Sequence, residues 1–302
     1  MKRPFTIAAV QLPSSAAGRS PAARQRANFA NAAHWLNEAG QRGGDIACVG
    51  EIFNAVGIDL HHTDVPRLVR HAEAETLNRF APIAKQHRMV IVAPILALRD
   101  GLVRNVAVVI DETGKVTGRY HKVHCIEHEK EFGVVPGDAW PVFEAKGARI
   151  GVQICHDNSF PESARCLALN GADIIFWPHL MSGWGGEFMD ILMRAPAIHN
   201  GIHHVPVSYG CPEDKSWMPG MMLGRSSIIA PDAVILADAG RHPGIALTTI
   251  DLAAPRIAEM FTRPGDWVWK IDMLNDRRPE TYAEFTRKHE RLKPVPAKRR
   301  KR

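Results

Sequence analysis

Apolar residues along the chain fall into short runs, three to seven residues long, separated by longer stretches with helical spacing. Thr6 to Leu12 is the first such run, and a helical pattern follows from about Pro21 to Ala39, opened by Pro21 and closed by Gly40, Gly43 and Gly44. Asp45 to Gly50 reads as a buried strand with Glu51 at its end. A second helix covers Ala72 to His87, and a strand covers Met89 to Leu96. Asn105 to Ile110 and Val116 to Tyr120 flank Asp111–Lys115, whose Gly114 predicts a hairpin. Arg149 to Ile154 is another buried strand ending at Cys155, and Pro161 to Asn170 is a helix stopped by Gly171. Asp173–Trp177, His204–Ser208, Ser226–Ile229, Val234–Ala237 and Ala246–Ile250 complete the predicted strands. Crossover and hairpin connections together imply an α/β fold, mixed sheets covered by helices, with a C-terminal extension from about residue 255.

The chain has 302 residues, of which 45% are hydrophobic and 23% charged, so a large core is expected and disorder across the body is not. The net charge of +6 is concentrated in Lys298, Arg299, Arg300, Lys301 and Arg302, leaving the rest near neutral. Such a tail suits an anionic partner, but no basic stripe interleaved with aromatics supports it elsewhere, so it reads as a solvated end and nucleic acid is not expected as a partner. No signal-peptide pattern opens the chain, and no stretch is long enough to span a membrane. Five scattered cysteines favour free thiols in a reducing compartment. A cytoplasmic protein is expected.

Three residues stand where strands end. Cys155 sits at the carboxyl edge of a sheet just before a helix, a placement that suits a nucleophile but also an inert buried thiol. Glu51 ends a buried run and must be solvated, paired or functional, since an unpaired buried carboxylate is costly. Lys122 alone reads as a surface lysine. Together they make chemical sense: a carboxylate to take the thiol proton and an ammonium to stabilise an oxyanion. Spacing does not establish that they meet.

The segment Gly151-Val152-Gln153-Ile154-Cys155-His156-Asp157-Asn158-Ser159-Phe160-Pro161-Glu162 resembles the nucleophile signature of the nitrilase-like carbon–nitrogen hydrolase superfamily. Arg119-Tyr120-His121-Lys122 resembles its lysine motif. Val49-Gly50-Glu51 resembles its glutamate motif, with Gly50 where proline is usual. The likeness runs in order from about Thr6 to Leu252. It implies a four-layer α-β-β-α sandwich with two mixed β-sheets, residues 1–254 forming the hydrolase domain and 255–302 an extension. It also implies a homodimer or higher homo-oligomer. Cys155 would be the nucleophile, Glu51 the base and Lys122 the charge stabiliser, with the backbone N–H of His156 completing an oxyanion site. A second glutamate precedes a Pro-Gly turn in many members; Glu129 matches that order best and Glu131 stays open.

The Cys-x-Asp-x-x-Phe-Pro-Glu pattern resembles amidases and carbamoyl-amide hydrolases more than nitrilases. Asn158 and Ser159 stand where amino-acid carbamoylases carry arginines, so the expected substrate is a linear amide or N-carbamoyl amine without a free α-carboxylate. His156, Asn158, His179 and Trp184 are the expected substrate-binding residues, with Trp177 either lining the pocket or lying in the core. Pro196 interrupts the helix over Glu187 to Asn200, and His199 stands where glutamate is usual; a kink there would reshape the pocket. A nitrilase or acyltransferase on the same scaffold, and a catalytically silent binding protein, are the alternatives. His121, His124 and His128 with Cys125 look like metal ligands, but no second ligand group of recognised spacing follows. No cofactor and no metal are expected.

Overall fold

The computed structural model describes residues 4–14, 18–181, 186–212, 224–252, 257–261 and 268–287. Its first sheet is built from β1 (Phe5–Pro13), β2 (Ile46–Val49), β3 (Val90–Arg99), β4 (Leu102–Ile110) and β5 (Val116–His121). The second contains β6 (Val142–Ala145), β7 (Ala148–Val152), β8 (Ile174–Pro178), β9 (His203–Val207), β11 (Ser227–Ile229) and β12 (Ile235–Asp238). The short β10 (Tyr209–Gly210) and β13 (Gly244–Ile250) return to β1, so the sheet orders are β10-β1-β2-β3-β4-β5, with β13 also on β1, and β12-β11-β9-β8-β7-β6. Each sheet mixes parallel central pairs, β1–β2–β3 and β7–β8–β9, with antiparallel pairs toward β5, β6 and β12, while the short β10 joins β1 in parallel. The extension adds a separate hairpin, β14 (Ile257–Phe261) and β15 (Val268–Asp272).

Strand alternation sends successive side chains to opposite faces, and the buried clusters follow it. Ile7, Ala9, Cys48, Val92 and Val109 pack against Ile150, Val152, Phe176 and Val205 between the sheets. Ala8, Val10, Val49 and Ile91 instead face Phe29 and Leu36 of α1 (Pro21–Gln41) and Phe80 of α3 (Ala72–His87). On the far side, Ile175 meets Ala164 and Leu167 of α5 (Pro161–Leu169), and Trp177 and Ile229 meet Met189, Met193 and Ala197 of α6 (Gly186–Asn200). The result is the expected α-β-β-α sandwich. Two short helices, α2 (Val65–Val69) and α4 (Glu127–Glu131), cover the rim of the first sheet.

Local chemistry explains several boundaries. Ser20 caps α1, its Oγ accepting from the Ala23 N–H at 3.2 Å, and Pro21 occupies the first turn. The Asp111 carboxylate closes the β4–β5 turn by accepting from the Thr113 and Lys115 N–H groups at 2.8 and 2.9 Å. β6, absent from the sequence reading, joins β7 through Lys146-Gly147, both at positive φ. The helix over Glu187 to Asn200 is not interrupted: α6 runs through Pro196.

Candidate active site

Glu51 follows β2 in a turn, Lys122 follows β5, and Cys155 follows β7 after Gln153 and Ile154, which carry the chain off the strand. The sandwich brings these strand ends to one place. The Lys122 ammonium, 1% exposed, donates to Glu51 Oε1 at 2.8 Å and to Glu129 Oε2 at 2.7 Å. Asn105 Nδ2, from β4, donates to the same two carboxylates at 2.8 Å each. The Leu180 N–H reaches Glu51 Oε2 at 3.0 Å, and the Ile126 N–H reaches Glu129 Oε2 at 3.0 Å. Glu129 is therefore the second glutamate of this cluster, while Glu131 lies on the surface.

Burial works against the charge on Lys122, but attraction from Glu51, Cys155 and Glu129 overrides it and holds the ammonium well above its ordinary pKa. The Cys155 thiol is pushed up, first by desolvation and then by the Glu51 charge; Lys122 pulls the other way without winning. Both burial and the neighbouring carboxylate thus favour the thiol over the thiolate in the resting site. Cys155 itself takes φ 48°, a left-handed conformation uncommon for a non-glycine residue.

The turn that carries it is fixed from below. Asp157, fully buried, accepts from the Ile154 N–H at 2.8 Å, the His124 N–H at 2.8 Å and the Tyr120 hydroxyl at 2.6 Å. Trp177 Nε1 donates to the Cys155 carbonyl at 2.8 Å. On the glutamate side, the Tyr209 hydroxyl donates to the Glu51 carbonyl at 2.5 Å, and a Cβ on Gly50 would lie 2.6 Å from the Tyr209 ring. Gly50, where the family pattern has proline, makes room for that tyrosine.

The expected substrate-binding residues divide. His156 is half-buried beside Cys155; burial and then the Lys122 charge lower its pKa, and its Nδ1 pairs with Ser159 Oγ at 3.2 Å. Asn158 is tied into the surrounding structure. Pro196 has no N–H, so the Leu192 carbonyl one turn back lacks its helical donor. Asn158 Nδ2 supplies one at 2.8 Å, while its Oδ1 accepts from Gln153 Nε2, so both ends of the amide are committed within the protein. His179 is 1% exposed and stacks on Trp177 with ring centroids 4.3 Å apart; its Nδ1 has no partner among the described residues. Trp177 is fully buried, with His204 on it as well at 5.8 Å. Trp184 lies outside the described residues.

Asn105, Tyr120, Gln153 and Tyr209 were not singled out in sequence as site-building residues, and Asp157 was read only as part of the nucleophile motif. Asn105 and Gln153 carried a usable signal, a polar side chain within an apolar run. The proposed ligand set of His121, His124 and His128 does not assemble: His124 binds Asp157 at 2.9 Å, His121 Nε2 is buried alone, and His128 faces solvent.

The family model described as carbon-nitrogen hydrolase matches residues 6–256. Deaminated glutathione amidase of Synechocystis sp. is 28% identical over 241 residues, covering 74% of this chain and 86% of that one. N-carbamoylputrescine amidase of Solanum tuberosum is 27% identical over 277 residues, covering 84% and 88%. Among solved structures, the amidase from Nesterenkonia sp. AN1 in complex with acrylamide superposes with a TM-score of 0.74 at 22% identity, covering 93% of this chain and 97% of that one. That likeness speaks to the fold.

Proposed function

The chain belongs to the carbon–nitrogen hydrolase family, and from that premise we propose that it cleaves the C–N bond of a linear amide or N-carbamoyl amine through a thioester on Cys155. The observation that carries this reading is the buried ammonium of Lys122, held between Glu51 and Glu129 close enough to Cys155 for the charges of Glu51 and Lys122 to act on the thiol. In the first half-reaction the sulfur bonds to the carbonyl carbon as its proton passes to Glu51. The oxygen becomes an oxyanion facing Lys122 and the His156 N–H. Glu51 then returns the proton to the leaving nitrogen, the C–N bond breaks, and ammonia or an amine departs. In the second half, water gives a proton to Glu51 and attacks the thioester; the C–S bond breaks and the thiol is restored. From an N-carbamoyl amine the first product is ammonia and the second a carbamate, which loses CO₂.

The substrate class rests on charge. Asn158 is bound to Gln153 and Leu192, and Ser159 to His156, so neither position offers a cation to a free carboxylate. The likeness to a carbamoylputrescine amidase points the same way.

Ammonia release across linear amides, N-carbamoyl amines, N-carbamoyl amino acids and nitriles tests this. Release from the first two classes is expected, and Cys155→Ala should lower it by a factor on the order of 10³ or more. Release that persists in the variant, or none from any compound by the folded protein, would refute the reading.

We propose further that α5 and α6 form the contact of a homodimer. Leu169 of α5 and Phe188, Ile191 and Ile198 of α6 are exposed, Ile191 at 65%, and large apolar side chains left on a surface favour association. Light scattering should report twice the chain mass for the native protein and the single-chain mass for Ile191→Glu/Ile198→Glu; a native monomer would count against it.

A further inference from the structure

On the face of α4 away from Lys122, His128 and Glu131 stand one turn apart and meet His61 from the turn Leu60–His62. The Nε2 atoms of His61 and His128 are 2.9 Å apart. The Glu131 carboxylate lies 3.5 Å from His128 Nδ1 and 3.9 Å from His61 Nδ1. One ligand atom from each of the three residues falls within 4.8 Å of the others. The Phe132 ring packs edge-on against both imidazoles, at 4.9 and 5.0 Å, giving the pair an apolar backing. The His61 turn is itself held: Asp59 Oδ1 accepts from the His61 N–H at 3.1 Å, and Thr63 Oγ1 donates to the Asp59 carbonyl at 2.6 Å.

We infer that these three residues form a binding site for a transition-metal dication of the Zn²⁺ class, independent of the chemistry at Cys155. Two imidazoles and a carboxylate are three of the four ligands of a tetrahedral zinc ion, which bonds to such atoms at about 2.0–2.2 Å. Two nitrogens on one tetrahedral ion stand slightly farther apart than the present 2.9 Å, so loading needs only a small outward movement of exposed side chains. Water fills the fourth position from a concavity of about 220 Å³ beside Leu60, Thr63, Asp64 and Pro66. Two nitrogen ligands select against Mg²⁺ and Ca²⁺, which prefer oxygen. The ion would pin the Leu60–His62 turn to α4, whose opposite face supplies Glu129 to Lys122.

The test uses the full chain without an added polyhistidine tag, stripped with chelator and titrated with Zn²⁺ and Mg²⁺ by calorimetry. One Zn²⁺ per chain and no Mg²⁺ are expected. Affinity for Zn²⁺ should fall at least about tenfold in His61→Ala, His128→Ala and Glu131→Gln, and stay unchanged in His62→Ala, whose ring binds Asp59 instead. Zinc should also slow amide exchange over Glu127–Glu131. Wild-type protein that takes up no stoichiometric Zn²⁺, or His61→Ala/His128→Ala binding as tightly as wild type with its circular dichroism unchanged, overturns the site.

Discussion

Replacing Lys122 with Met is expected to abolish amide turnover and to destabilise the fold by roughly 3–5 kcal/mol, the cost of breaking a buried ion pair. Glu51 and Glu129 would be left facing each other across Asn105, with no cation between them. Two buried like charges in that position repel each other without compensation. Adding Glu129→Gln removes one of the stranded charges, so Lys122→Met/Glu129→Gln should regain part of the stability without regaining turnover. Urea unfolding of wild type, Lys122→Met and Lys122→Met/Glu129→Gln, with ammonia release measured alongside, separates the two roles of the lysine. A stable Lys122→Met protein would mean that the three charges do not balance one another, and an active one would remove the lysine from catalysis.

The second large effect is an acid transition. Burial holds His179 down to about 3, and His203 and His204 down to about 4, against an ordinary value near 6.5. For His204 burial outweighs the bond from its Nδ1–H to the Met193 carbonyl at 2.7 Å, which favours the charged ring; its Nε2 accepts from Gln153 at 3.1 Å. At pH 7.5 neither the folded nor the unfolded chain protonates these rings appreciably, and they cost nothing. As pH falls through about 6.5 the unfolded chain takes up three protons that the folded chain refuses, so stability drops by up to about 4 kcal/mol per pH unit. The penalty levels off only near the folded values, at a total on the order of 10 kcal/mol, comparable with the whole stability of a domain. The melting temperature should thus fall steeply between pH 6.5 and about 4, and the protein should unfold before the lower end. His203→Gln should reduce the slope by about one third. A melting temperature that stays level from pH 7 to pH 5 would contradict the burial of these rings as ionisable groups.

Cys155, Glu51 and Lys122 were legible in sequence through the family motifs that contain them; taken singly each had an ordinary structural reading, and Lys122 read as a surface lysine. Their convergence was not legible: Glu51 and Lys122 are 71 positions apart, and nothing in the spacing says that two sheets will stack with these ends together. The same holds for Asn105 and Tyr209, whose parts depend on contacts made across the sandwich. The choice between Glu129 and Glu131 turned on the phase of the five-residue helix α4, too short to leave a periodic trace. β6 went unread although Lys146-Gly147 is a recognisable two-residue turn, because Phe143 and Ala145 are too few apolar positions to declare a strand. The Pro196 interruption misled for a different reason. A proline breaks a helix through a missing donor and a steric clash, and here the donor's absence is answered from outside the helix.

That answer gives the pocket a history-dependent character. Asn158 and Pro196 act as one position written in two places. A residue at 158 without a donor strands the Leu192 carbonyl as long as proline occupies 196, whereas a residue with an N–H at 196 meets that carbonyl within the helix and releases 158 from its duty. The order of the changes therefore matters. A lysine or arginine brought in first at 158 would have its donor taken by the Leu192 carbonyl and would offer no acceptor to Gln153, whereas after the proline is gone the donor at 158 is no longer claimed from the helix.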